Sequence, residues 1–103
     1  MTENLTIEMV QFRSLKGMDE KVFLDASDAM MKDLKKQRGF IDRELLKSED
    51  DQWIDIVHWK SLGDAQLAAR NVMSIPTCLT FFKMMDEGTV KMMHFRQVRK
   101  YKD

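Results

Sequence analysis

The segment Trp53–Lys60, reading WIDIVHWK, constrains the fold of this chain more than any other. Successive side chains of a strand point to opposite faces. Trp53, Val57 and Trp59 therefore share one side, and Ile54 and Ile56 the other. A sheet with one solvated face carries polar residues on it, but here both faces carry large apolar groups. Leu5–Arg13 is two-sided as well, with Leu5, Ile7 and Met9 opposite Thr6, Glu8, Val10 and Phe12. Thr89–Tyr101 reads as a long final strand with Val90, Met92, His94 and Val98 on one face and Met93 and Phe95 on the other. Helices can cover only one face of such a sheet. The economical cover for the second is another copy of the chain, packed sheet to sheet about a two-fold axis, so the expected partner is the chain itself.

Between these strands the period changes from two to three or four. Val22, Phe23, Ala26, Met30 and Leu34 form one stripe of an amphipathic helix over Met18–Gln37. Asp19 and Glu20 stand in its first turn and Lys32, Lys35, Lys36 and Arg38 near its end, a polarity that suits the helix dipole. Gly39 is placed to stop it. Phe40–Lys47 reads as a second strand, joined to the third by the acidic Ser48–Gln52, which lacks the Asn-Gly or Asp-Gly pair of a tight turn and predicts a looser hairpin. Ser61 is a helix cap with Asp64 three residues on, followed by the small residues Ala65, Ala68 and Ala69. Ser74-Ile75-Pro76 interrupts this helix, and Thr77–Met85 predicts a further short one. Strand, helix, two strands, broken helix, strand is the α+β ferredoxin-like arrangement βαββαβ, an antiparallel sheet with helices on one face. At 103 residues, the chain reads as a single domain over 1–103.

Composition removes several function classes. Seventeen basic residues cancel seventeen acidic ones, and nucleic-acid binders carry a basic surplus. The third strand lacks the Gly- and Arg-rich signature of RNA-recognition modules, and Asp55 makes it acidic. The first loop, Ser14–Gly17, holds no paired cysteines for metal transfer, and no phosphate-gripping glycine loop is present. One cysteine, Cys78, excludes a disulfide-stapled module. No apolar run approaches the ~18 residues of a membrane span, and Met1–Asn4 does not read as a signal peptide, so a soluble, cytoplasmic domain without membrane contact is expected.

Few side chains suggest chemistry. His58 and His94 both lie in strands, where a hydrogen-bonded core or interface role outweighs catalysis. Neither has cysteine or carboxylate companions at metal-ligand spacing, so no metal is expected. Asp55 shares a face with Trp53, Val57 and Trp59, and a carboxylate buried among aromatics has a raised pKa and can serve as a base. Its structural reading, pairing with Arg43, Arg13 or Arg96, weighs more. Asp42 and Glu44 stand on the neighbouring strand. The ten methionines, with doublets at Met30, Met84 and Met92, suit a core or an adaptable apolar cavity. Cys78 near a helix start reads as a plain buried thiol, and the basic tail Arg96–Lys102 as a solvated terminus.

Gly39-Phe40, Arg43-Glu44-Leu45, Trp53–Ser61, Ala65, Ala69 and the closing Met92-Met93-His94-Phe95 together resemble the antibiotic biosynthesis monooxygenase-like family. The resemblance implies a dimeric α+β barrel with a cavity in each subunit between helices and sheet. Some members oxygenate phenolic polyketides without metal or flavin, and others break open haem. Trp59 is similar to the tryptophan that the family places at the end of strand three, facing the cavity. Haem-degrading members add an asparagine on the first strand and a histidine on the following helix. Leu5–Arg13 has no Asn and Leu62–Val72 no His, so haem is not expected, nor any other cofactor. If Trp59 faces the cavity, Phe23, Ala26, Met30 and Phe82 are its expected neighbours, His94 and Asp55 are the candidate polar or catalytic groups, and His58 faces the dimer interface. The function implied is that of a cofactor-independent monooxygenase-like protein taking a small aromatic or apolar molecule. The alternative is a non-catalytic dimer that binds such a molecule.

Overall fold

The computed structural model describes residues 4–103. Met1–Glu3, where no signal peptide is read, lie outside the described residues. Four strands, β1 (Thr6–Phe12), β2 (Phe40–Lys47), β3 (Trp53–Trp59) and β4 (Lys91–Arg96), form one sheet in the order β2-β3-β1-β4. Every neighbouring pair is antiparallel. The helices α1 (Glu20–Leu34), α2 (Leu62–Asn71) and α3 (Pro76–Phe82) contribute the buried residues of the core together with the inward side chains of β1 and β3. This is the ferredoxin-like arrangement that the periodicity predicts.

Local chemistry sets the ends of the elements. The Asp19 carboxylate accepts from the backbone N–H groups of Lys21 and Val22, at 2.8 and 3.4 Å, so α1 starts at Glu20 rather than at Met18. Its last turn tightens after Leu34, and Gly39 at φ +82° turns the chain into β2. In the hairpin, Ser48 donates its N–H to the Gln52 carbonyl at 2.8 Å, and Asp51 takes the left-handed conformation at φ 67° that Asp tolerates. The Ser61 hydroxyl accepts from the Asp64 N–H at 3.1 Å and caps α2. A single 3-10 turn at Val72–Ser74 precedes α3, which Pro76 opens from its first turn.

The final strand is shorter than the alternation of its residues suggests. Glu87–Thr89 is a 3-10 turn held by the Asp86 side chain, and β4 pairs with β1 only from Gln11↔Lys91 to Thr6↔Arg96. Gln97 donates to the Leu5 carbonyl at 2.8 Å, and no further pairing with this edge occurs among the described residues. Val98 and Tyr101 are consequently 71% and 84% exposed.

The space between helices and sheet has two unlike halves. At one end Phe12, Phe23, Trp53 and Phe81 fill it as an aromatic cluster, with ring centroids 4.9–6.2 Å apart. Toward the other end α2 presents Ala65 and Ala68, with Trp59 on the sheet below. On the far face of the sheet, Ile7, Met9, Ile54, Ile56 and His58 are half-buried, while Leu46 and Phe95 are exposed.

Gly39 and Gly17 both have positive φ, yet their surroundings differ. A Cβ on Gly39 would overlap the Asp64 side chain, whereas one on Gly17 would meet nothing within 4 Å. Gly17→Ala should therefore cost about 1 kcal/mol of left-handed strain, and Gly39→Ala at least about twice that. Urea unfolding of the two variants checks the difference, and equal losses would contradict the assigned contact.

Candidate functional site

Between the sheet and the helices lies a cavity of about 330 Å³. Met30 and Leu34 of α1, Ala68 and Ala69 of α2 and Phe82 of α3 form its helical wall. None of these can ionise. The sheet side combines the apolar Val10, Val57, Trp59 and Met92 with the polar Glu8, Arg43 and Asp55. The alanines of α2 leave space that larger side chains would fill, and Met30, Met73, Met85 and Met92 share the cavity border with branched residues.

Cross-strand register brings the polar groups together. Glu8 on β1 stands opposite Val57 on β3 and opposite His94 on β4, and Val10 stands opposite Asp55. His94 Nε2 is 3.0 Å from Glu8 Oε2. When the Glu8 carboxylate is ionised it only accepts hydrogen bonds, and Nε2 of His94 then carries the shared proton. Burial pushes the Glu8 carboxyl above the ordinary carboxylate range. The His94 hydrogen bond works against that rise, and the negative charge of Asp55 adds to it.

Asp55 is held differently. Arg43 donates from Nε and Nη2 to its two oxygens at 2.9 and 2.8 Å, and from Nη1 to the Ser27 carbonyl in α1 at 3.1 Å. The guanidinium also lies 5.2 Å from the Phe81 ring centroid. Arginine's fork geometry suits this bidentate pair, which fastens β2 to β3 and to α1. Trp59 is 1% exposed, and its indole N–H has no hydrogen-bond partner among the described residues. The N–H lies near enough to Glu8 to favour the ionised carboxylate, although outside hydrogen-bond geometry. Phe40 packs edge-on against the indole at 5.7 Å.

The structure places Trp59, Met30 and Phe82 on the cavity wall. It places Phe23 elsewhere: that ring belongs to the aromatic cluster, 4.9 Å from Trp53, and borders a separate polar hollow near Arg13, Lys47 and Asp51. Ala26 is buried without lining the cavity. Asp55 reaches the wall but is saturated by Arg43, and His94 stands behind Glu8 instead of on the wall. Asp42 and Glu44 are paired with His58 and Ile56 and share their outer face, away from Asp55. His58 Nδ1 is 2.7 Å from Asp42, at an angle outside hydrogen-bond geometry. Burial raises the Cys78 thiol pKa, which disfavours a thiolate. Sequence reasoning passes over Glu8. Its one signal is an acid among Thr6, Val10 and Phe12 on the inward side of β1. Among the described residues no cluster of three or more metal-ligating side chains occurs, and no helix is long and apolar enough to cross a membrane.

No family model matches the sequence, and no curated protein matches it significantly. Solved structures do. A mutant of SnoaB, a cofactor-independent oxygenase from Streptomyces nogalater, superposes with a TM-score of 0.77 at 14% identity, covering 96% of this chain and 98% of that one. A protein from Bordetella bronchiseptica assigned as an antibiotic biosynthesis monooxygenase gives 0.78 at 14% identity, covering 93% and 99%. A dimeric ferredoxin-like protein from an uncultured marine organism gives 0.71 at 12% identity, covering 99% and 95%. At these identities the likeness is one of fold. It agrees with the family resemblance carried by the Trp53–Ser61 segment and by the residues around it.

A raised Glu8 pKa links stability to pH in one direction. The folded chain holds this proton more tightly than the unfolded chain, so the contribution is fully present below the ordinary value of 4.5 and is lost as pH rises through the folded value. The stability of the native protein relative to its Glu8→Gln variant should therefore fall as pH rises past about 4.5. Urea unfolding across a pH series measures this, and parallel curves for the two proteins would contradict the assignment.

Proposed function

We propose that this chain is a cofactor-independent monooxygenase-like protein that takes a small aromatic or apolar molecule into the cavity beside Trp59. The observation that carries this reading is an apolar cavity with an indole and a buried, ionisable carboxylate on its wall. Ligand sites are concave and mostly apolar, with a few converging polar groups. A carrier needs no ionisable group at the wall, whereas cofactor-free oxygenation does. A base removes a phenolic proton, and the resulting carbanion reduces dioxygen. The presence of Glu8 on the wall therefore favours the enzyme over the non-catalytic binder. The fold shared with a cofactor-independent oxygenase supports the same choice.

The working form on this reading is a homodimer packed sheet to sheet. The apolar outer face, with Ile7, Met9, Ile54 and Ile56 half-buried and Phe95 45% exposed, supports it, as does the fold shared with a dimeric ferredoxin-like protein. An obligate interface of this type buries well over about 1,000 Å² and is rich in apolar side chains.

A planar aromatic ligand should quench the tryptophan fluorescence saturably. The chain has two tryptophans, and only Trp59 lines this cavity. Trp59→Phe should remove most of the quench and Trp53→Phe should leave it. Equal loss in both variants, or no quench in the native protein, would contradict binding at this site. Sedimentation at micromolar concentration should give twice the 12.2 kDa chain mass, and a 12.2 kDa species alone would contradict the dimer.

A further inference from the structure

Two polar groups of the cavity wall are left incompletely satisfied by the protein itself. The first is the Trp59 indole N–H, a buried donor with no partner among the described residues. Leaving such a group unpaired carries a desolvation penalty, so its position on a cavity wall calls for an acceptor from outside. The second is the Glu8 carboxylate, which the Trp59 N–H approaches without reaching hydrogen-bond geometry. One oxygen, Oε2, is engaged by His94, and the residue faces the cavity. A donor is thus set beside an acceptor, both buried and both on the same wall. A hydroxyl group, which donates one hydrogen bond and accepts another, complements the two together.

We infer that Glu8 is the catalytic proton acceptor of this cavity, that the Trp59 N–H receives the oxygen it deprotonates, and that the substrate enters with an acidic aromatic hydroxyl directed at this pair. The inference rests on the cavity being the binding site, as proposed above. In the step itself the O–H bond of the hydroxyl breaks, its electron pair stays on the oxygen as a phenolate, and the proton goes to the Glu8 carboxylate. The site carries one negative charge before and after, moved from carboxylate to phenolate, so the step adds no charge to a buried environment that resists added charge. The neutral carboxylic acid then donates to the phenolate, and the Trp59 N–H donates from beside it.

The surroundings keep this proton local. From β3, Asp55 faces Glu8 but is neutralised by Arg43 of β2. From β4, His94 donates to Glu8, and from the turn after α3 Glu87 borders the same cavity. The helices add only Met30, Leu34, Ala68, Ala69 and Phe82 to the wall, none of which titrates. His94 does not line the cavity and acts through Glu8, as a positioning residue that holds the carboxylate in place and favours its ionised form.

The test uses the native chain with 4-nitrophenol, whose phenolate is yellow, and 4-nitrotoluene, which has the same shape and no hydroxyl. At a pH where free 4-nitrophenol is mostly colourless, the bound compound should be yellow and should bind about tenfold tighter than 4-nitrotoluene. That preference should vanish as pH falls through the Glu8 pKa, while 4-nitrotoluene binding stays level. Glu8→Gln should lose the yellow spectrum and most of the preference for 4-nitrophenol. His94→Phe removes a hydrogen bond that lowers the Glu8 pKa and should move the acid limb of the preference to higher pH. A colourless complex, no preference between the compounds, or a Glu8→Gln variant like the native protein would overturn the role of Glu8 and leave the cavity as a binding site. An unmoved acid limb in His94→Phe would overturn the role of His94. If the native protein binds neither compound, the binding reading itself fails and this inference with it.

Discussion

The guanidinium of Arg43 is the joint on which the interior depends. Its fork closes on both oxygens of Asp55, so β2 and β3 are fixed in register at the depth of the core. A third donor reaches the Ser27 carbonyl of α1, and the flat face lies against Phe81 of α3. One side chain of β2 thereby touches a second strand and two helices. Buried ion pairs contribute little net stability against apolar residues of the same size, but breaking one strands a buried charge at a cost of about 3–5 kcal/mol. The value of this pair is geometric. It sets the separation of helix and sheet, on one side of which the aromatic cluster fills the gap while the other side stays open.

That division follows from side-chain volume. Phe12, Phe23, Trp53 and Phe81 interdigitate beyond the Arg43–Asp55 pair and leave no room. Toward Trp59 the facing helix is made of Ala65, Ala68 and Ala69, and the sheet floor drops to Val10 and Val57. A cavity in a close-packed protein forfeits contacts that its lining could otherwise make. Here the lost contacts coincide with two further departures from a simple core, a carboxylate on an inward strand position and an indole N–H without a partner. Violations of packing, charge burial and hydrogen bonding that gather at one place mark a site kept for something other than stability.

Much of the frame was legible in the residues. The period-two alternation of Trp53–Trp59, the three-and-four stripe from Phe23 to Leu34, the stop at Gly39 and the cap at Ser61 are all local signals, and local signals determine elements. The errors have a common cause in long-range pairing. The alternation through Val98 suggests a long final strand, yet a strand ends where its neighbour ends, and the pairing with β1 stops at Thr6. Phe23 belongs to the correct helix face, but which end of that face meets the cavity depends on where Trp53 and Phe81 lie in space. Glu8 was hidden for the same reason. Its significance comes from His94, 86 residues away, and from Trp59 across the sheet, and nothing near it in sequence announces either partner.

On the proposed reading, the polar wall of the cavity takes a hydroxyl while its helical wall accepts a ring. A crystal structure of the native protein with 4-nitrophenol tests that claim most directly. The ring is expected between Met30, Phe82 and Trp59, with its oxygen about 3 Å from both the Trp59 indole nitrogen and a Glu8 carboxylate oxygen. A ring bound elsewhere, or one lying in the cavity with its oxygen turned away from Trp59 and Glu8, would contradict it.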